Sequence, residues 1–120
     1  MSMDTTEEQK PAQQVSSIEK NIIQAQVIEA LRTCYDPEIP VNIYELGLVY
    51  EVQVDDQAGV KIIMTLTSPH CPAVQSLPRE IETKAKAVPG ATSVKVELVW
   101  TPPWTPALMS EAAKLELGLQ

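Results

Sequence analysis

The chain has 120 residues, a formal net charge of −7, 44% hydrophobic and 21% charged residues, two cysteines, one histidine and no phenylalanine. That is the profile of one globular domain long enough to bury a core without disulfides or metals. The acidic balance excludes a surface that tracks nucleic-acid phosphates or anionic lipid. No stretch reaches the ~20 apolar residues needed to span a bilayer, and no basic segment followed by an apolar run opens the chain. The expected location is the cytoplasm, where both thiols stay reduced.

The opening "MSMDTTEEQKPAQQV" (1–15) is polar and interrupted by Pro11. It has too few apolar groups to offset the entropy of ordering, so it reads as a disordered tail before a single domain over 16–120. Ser16 and Glu19 form the pattern of a capping box. Behind them Ile23, Val27, Leu31 and Cys34 share one stripe at helical spacing, flanked by Ile28 and Ala30. This predicts a helix over 17–34, stopped by Pro37. Cys34 then reads as a small buried hydrophobe.

"YDPEIPVNIYELG" is an ordered loop around two prolines. A strand over 48–54 puts Leu48, Tyr50, Val52 and Val54 on one face. After the turn "DDQAG", a second strand over 60–67 does the same with Val60, Ile62, Met64 and Leu66, and the short gap makes the pair an antiparallel hairpin. The corner "TSPHCP" leads into a second amphipathic helix over 72–88, carrying Val74, Leu77, Ile81, Ala85 and Val88, with Pro78 in its first turns and Pro89-Gly90 closing it. A third strand over 93–100 alternates Val94, Val96, Leu98 and Trp100 against Lys95, Glu97 and Val99. Past "TPPWTP" comes a short last helix, with Thr105 as cap, Pro106 in the first turn and Gly118 at its end. The order is α-β-β-α-β-α: a two-layer α+β domain with a mixed three-stranded sheet covered by helices on one face and a right-handed crossover between the second and third strands.

Chemistry concentrates at Cys71. With Pro72 in the first helical turn, Cys71 becomes the N-cap, beside unpaired N–H groups and the positive end of the helix dipole, which favours a thiolate. His70 is adjacent in sequence, and neighbours at a bend point apart, so it reads as a surface residue. A hydrolase lacks a second histidine as base. A closed tetrahedral zinc site lacks ligands. A single thiolate can hold an iron–sulfur cluster only by sharing it, across a symmetric dimer or with a client protein. Asp36 and Glu38, in the loop leaving the first helix, are candidate oxygen ligands or simply turn formers. Trp100 and Trp104 among prolines form either a partner surface or a cover for the sheet edge.

The stretches "DPEIPVNIYELGLVYEV", "MTLTSPHCP", "VPGATSVKVELVWTPPWTP" and "MSEAAKLELG" resemble, in order and spacing, the SufT and PaaD-like family of iron–sulfur assembly proteins, whose domain also occurs in a eukaryotic cytosolic iron–sulfur targeting factor. The resemblance runs from about residue 25 to the end. It implies the NifU C-terminal type of α+β fold and a non-catalytic accessory or carrier role in maturing client iron–sulfur proteins. By the same resemblance Cys71 is the transient ligand of a cluster or metal, Thr67 matches the motif threonine, and Asp36, Pro37 and Glu38 match the acidic loop. The implied partners are iron–sulfur assembly proteins and client apoproteins, with a homodimer left open. The ending "KLELGLQ" lacks the cysteine-rich extension of PaaD, which favours SufT. A thiol enzyme with Cys71 as nucleophile and a pure interaction module remain the alternatives.

Overall fold

The computed structural model describes residues 15–36, 39–68 and 73–118. Helix α1 spans Ser17–Leu31, and its start is as the sequence implies: Ser16 Oγ accepts from Glu19 N–H (3.1 Å), while the Glu19 carboxylate accepts from Ser16 N–H (3.1 Å). The stripe Ile23, Val27, Leu31 and Cys34 is buried. The helix itself ends three residues earlier than expected. Arg32 N–H still bonds Ile28 C=O, but the N–H groups of Thr33 and Cys34 reach Ala30 and Leu31, which tightens the last turn and releases the chain before Pro37.

Strand β1 (Val49–Val54) and strand β2 (Gly59–Met64) form the antiparallel hairpin, with an irregularity between Val49 and Glu51. The turn is organised by the Asp55 carboxylate, which accepts from the N–H groups of Gln57 (2.9 Å) and Gly59 (2.7 Å). Ala58 there adopts a left-handed φ of 66°. Helix α2 spans Ala73–Lys86, and strand β3 (Ser93–Leu98) pairs parallel to β2 from Gly59 opposite Ser93 to Met64 opposite Leu98. The sheet is therefore mixed, in the order β1-β2-β3. All three strands are shorter than expected, because pairing stops where the chain turns at each end.

Val60, Ile62, Met64 and Leu66 project into one continuous core with the α1 stripe and with Leu77, Ile81, Ala85 and Val88 of α2 and the turn behind it. Val94 is buried and Val96 and Leu98 are half-buried against the same core. Pro78 lies in the second turn of α2, where it removes one intrahelical bond.

The chain end differs most from expectation. In place of one helix from Pro106 there is a 3₁₀ turn, Pro106–Leu108, and then helix α3, Glu111–Glu116. Thr105 makes no side-chain cap; the cap is Ser110, whose Oγ accepts from Ala113 N–H (3.1 Å). The break is imposed by packing. Leu108 C=O approaches Gly47 so closely that a Cβ there would lie 2.3 Å from the oxygen, and Gly47 has φ 81°. Ser110 N–H then donates to Glu45 C=O (2.9 Å). Gly118 follows α3 with φ 76°, as the cap pattern implies. The expected tail over 1–14 and the last two residues fall outside the described residues. Val15, just before the cap, already donates to Asp56 C=O (2.8 Å).

Candidate functional site

The parallel pairing of β2 and β3 sends both strands out at the same end of the sheet, where Val99 N–H donates to Met64 C=O (2.8 Å). The chain leaving β2 is held there by Thr65, fully buried, whose N–H donates to Leu48 C=O (2.8 Å). Leu66 is buried beneath it, and Thr67 and Ser68 turn toward solvent, half-exposed. Pro69, His70, Cys71 and Pro72 lie outside the described residues, as do Pro37 and Glu38 of the acidic loop. The N-cap geometry expected of Cys71, its distance to Trp104, and the place of His70 therefore have no description here. α2 begins at Ala73, directly after them.

The acidic loop is pinned at its base. Tyr35 and Asn42 form an antiparallel bridge, and Ile43 N–H donates to Cys34 C=O (2.8 Å). Asp36 is 2% exposed, and its C=O accepts from Ile39 N–H (3.2 Å). Beside this bridge an open depression of about 280 Å³ is lined by Tyr35, Asn42, Glu45, Ala113 and Glu116 among others.

The proline-tryptophan segment folds back over the stretch that follows that loop. The Trp104 indole N–H donates to Leu46 C=O (2.7 Å), and its ring is half-buried against the core. Tyr50 O–H donates to Pro102 C=O (2.7 Å). Trp100 stays 40% exposed. The two tryptophans therefore divide: Trp104 covers the core and Trp100 presents an apolar surface.

Cys34 is fully buried, with its Sγ 3.7 Å from Ala30 C=O. Burial pushes its thiol pKa above the ordinary 9.0, which outweighs the Lys84 ammonium acting in the opposite direction. Lys84, unremarkable in the sequence, reaches across from α2 to Thr33 C=O and Oγ1 (3.0 Å each) and pairs with Glu80 (3.2 Å). Arg32 pairs with Glu45 (3.1 Å) and lies over the Tyr44 ring, 5.0 Å from its centroid. The Lys84–Glu80 pair lies at i,i+4 spacing within α2. No periodicity could reveal the contacts of Lys84 with Thr33 or of Arg32 with Glu45 and Tyr44, because each joins segments separate in the chain. Among the described residues no three of His, Cys, Asp and Glu converge to hold a metal ion, and no helix is long and apolar enough to cross a membrane.

Residues 24–98 match the family described as iron–sulfur cluster assembly protein. An Fe-S protein maturation auxiliary factor of Porphyromonas gingivalis is 47% identical over 92 residues, spanning 77% of this chain and 88% of that protein. The Fe-S protein maturation auxiliary factor SufT of Staphylococcus aureus is 42% identical over 84 residues, 70% of this chain and 96% of that one. Among solved structures, a domain of unknown function, DUF59, from Bacillus anthracis superposes with a TM-score of 0.80 at 32% identity, covering 88% of this chain and all of that one. The α-β-β-α-β-α order and mixed sheet agree with that likeness, and the chain belongs to the iron–sulfur cluster assembly protein family.

Proposed function

We propose that the protein is a non-catalytic accessory or carrier factor that helps mature client iron–sulfur proteins in the cytoplasm, handling the cluster as cargo through Cys71. The observation that carries this reading is its match, over most of their length, to relatives named Fe-S protein maturation auxiliary factor. Their names favour the SufT-like role over the PaaD-like one. In this reading the tail over 1–15 precedes a single working domain over 16–120.

The choice of thiol is supported by the fate of the other one. A cluster ligand must be an accessible thiolate. Cys34 is enclosed, with its pKa raised by burial, so Cys71 is the thiol that remains for cargo. Thr67, half-exposed at the exit of β2, and Glu38 are the residues proposed to assist it, while Asp36, buried, shapes the loop. Trp100, exposed at the exit of β3, meets assembly partners or client apoproteins, with Trp104 as a wall of the site.

Complementation in a strain lacking its own maturation factor tests the reading. Cys71→Ser should keep the fold and reduce client-enzyme activity to background, whereas Cys34→Ser should lower stability more than activity. Wild-type activity from Cys71→Ser overturns the ligand role and leaves an interaction module. Multiple turnover of a thioester or peptide substrate, lost in the same variant, points instead to a thiol enzyme.

A further inference from the structure

The sheet has two edges, and among the described residues they are not covered alike. On the β1 side, the Gln24 side chain of α1 donates to Val52 C=O (2.8 Å), and Val15 N–H occupies Asp56 C=O just past the strand. On the β3 side, pairing among the described residues is to β2 alone. Because Val99 N–H faces Met64, alternation along the strand turns the N–H and C=O groups of Val94, Val96 and Leu98 outward. A strand with a free row of donors and acceptors is a template for another strand.

The side chains indicate which strand fits. If a second copy of β3 pairs antiparallel about a two-fold axis at Val96, then Val96 faces Val96, and Val94 and Leu98 face Leu98 and Val94 of the second copy, all through the outward backbone groups. Lys95 then stands opposite the second copy's Glu97, and Glu97 opposite the second copy's Lys95, at non-hydrogen-bonded positions where Cα atoms lie about 4.5 Å apart. Lys95 is exposed and makes no ion pair among the described residues, while Glu97 holds Lys61 (3.0 Å) on the same open face. The register is thus self-complementary in charge. It also extends the core at the half-buried Val96 and Leu98.

We propose that the outer edge of β3 is a homodimer interface, formed by antiparallel β3–β3 pairing centred on Val96 into a six-stranded sheet. The pairing is antiparallel, so the C-terminal ends of the two copies' β2 strands, from which each chain runs on toward Cys71, point in opposite directions. Such a dimer displays two separate sites and does not depend on what Cys71 does.

Sedimentation velocity on the full chain over a dilution series tests the interface. The wild type should dissociate reversibly from dimer to monomer. Val96→Pro removes an outward N–H that the monomer does not use, so it should be monomeric with an unchanged circular dichroism spectrum. Lys95→Glu places like charges opposite each other twice and should raise the dissociation constant about tenfold or more. Adding Glu97→Lys to Lys95→Glu restores opposite charges and should recover the dimer, a result that does not depend on the proline variant folding. A wild type that stays monomeric to its solubility limit overturns the proposal and leaves the edge to a different partner. So does a dimer that survives Val96→Pro, or a double variant no tighter than Lys95→Glu alone.

Discussion

β1 and β3 are each six residues long and flank the same central strand, yet their outer edges end differently. β1 lies against α1, whose Gln24 satisfies Val52 C=O, and the turn after it is tied to the helix start by Val15 and by the Lys20–Asp56 ion pair. β3 has α2 packed on its apolar face and nothing described along its edge. The difference shows that a strand's edge is protected by what the fold brings alongside it. β1's own residues, alternating much as those of β3 do, contain no sign of the seal. A side chain on a helix 28 residues away supplies it.

The largest expected effect strikes the strand that both edges share. Ile62 is fully buried at the centre of β2, so Ile62→Ala should lower unfolding free energy by about 2–5 kcal/mol, the usual range for such a cavity. Denaturant titration reads this directly, and a loss below about 1 kcal/mol would mean the two edges hold the sheet more than its centre does. Next comes alkaline pH, acting at the exit of the sealing helix. The Cys34 thiol has a raised pKa in the folded protein. Between the ordinary 9.0 and the higher folded value, the unfolded chain has lost a proton that the folded protein keeps. Stability is therefore fully present below pH 9.0 and should fall above it, by at most about 1.4 kcal/mol per pH unit for this one group. Cys34→Ala should flatten that part of the stability–pH curve.

Opening the sealed edge should cost less. Gln24→Ala frees Val52 C=O and should cost about 1 kcal/mol. It should also speed amide exchange in β1 while leaving β3 unchanged, which makes the two edges alike. The smallest effect belongs to the open face. Lys61 and Glu97 are both about half exposed, so Lys61→Met should change stability by less than about 1 kcal/mol. Urea titration at low and high salt checks it.

Local and periodic features were legible in the sequence. The capping box at Ser16 and Glu19, the α1 stripe through Cys34, and the alternation of Val60, Ile62 and Met64 need only neighbours within a turn or a strand, and the structure has each of them. Helix α2, by contrast, ends at Lys86, two residues short of the expected close at Val88 before Pro89-Gly90. Four motifs held in order and spacing carried the family. Where elements end was less legible, since the early close of α1 at Leu31 and of β3 at Leu98 depends on which carbonyl each N–H finds. The corner of the candidate site was read by its residue types, with Cys71 between two prolines. Its surroundings were not readable in the same way, because Trp104 on Leu46 and Tyr50 on Pro102 join positions more than fifty residues apart.

By itself, then, the sequence determined the element order, the apolar faces of α1, α2 and β2, and which residues carry the reactive groups. These follow from side-chain period and backbone preference, which act over a few residues. In β1 the irregularity between Val49 and Glu51 sets Val49, not the expected Tyr50, against the core. Only the tertiary structure decided that the last helix breaks at Leu108 to pass Gly47, that Cys34 is enclosed with a raised pKa, that Trp104 is a cover and Trp100 is exposed, and that a helix side chain caps one sheet edge while no described residue pairs along the other. Each of these depends on a close approach between distant segments, where sterics, desolvation and hydrogen-bond pairing act through space and leave no period in the chain.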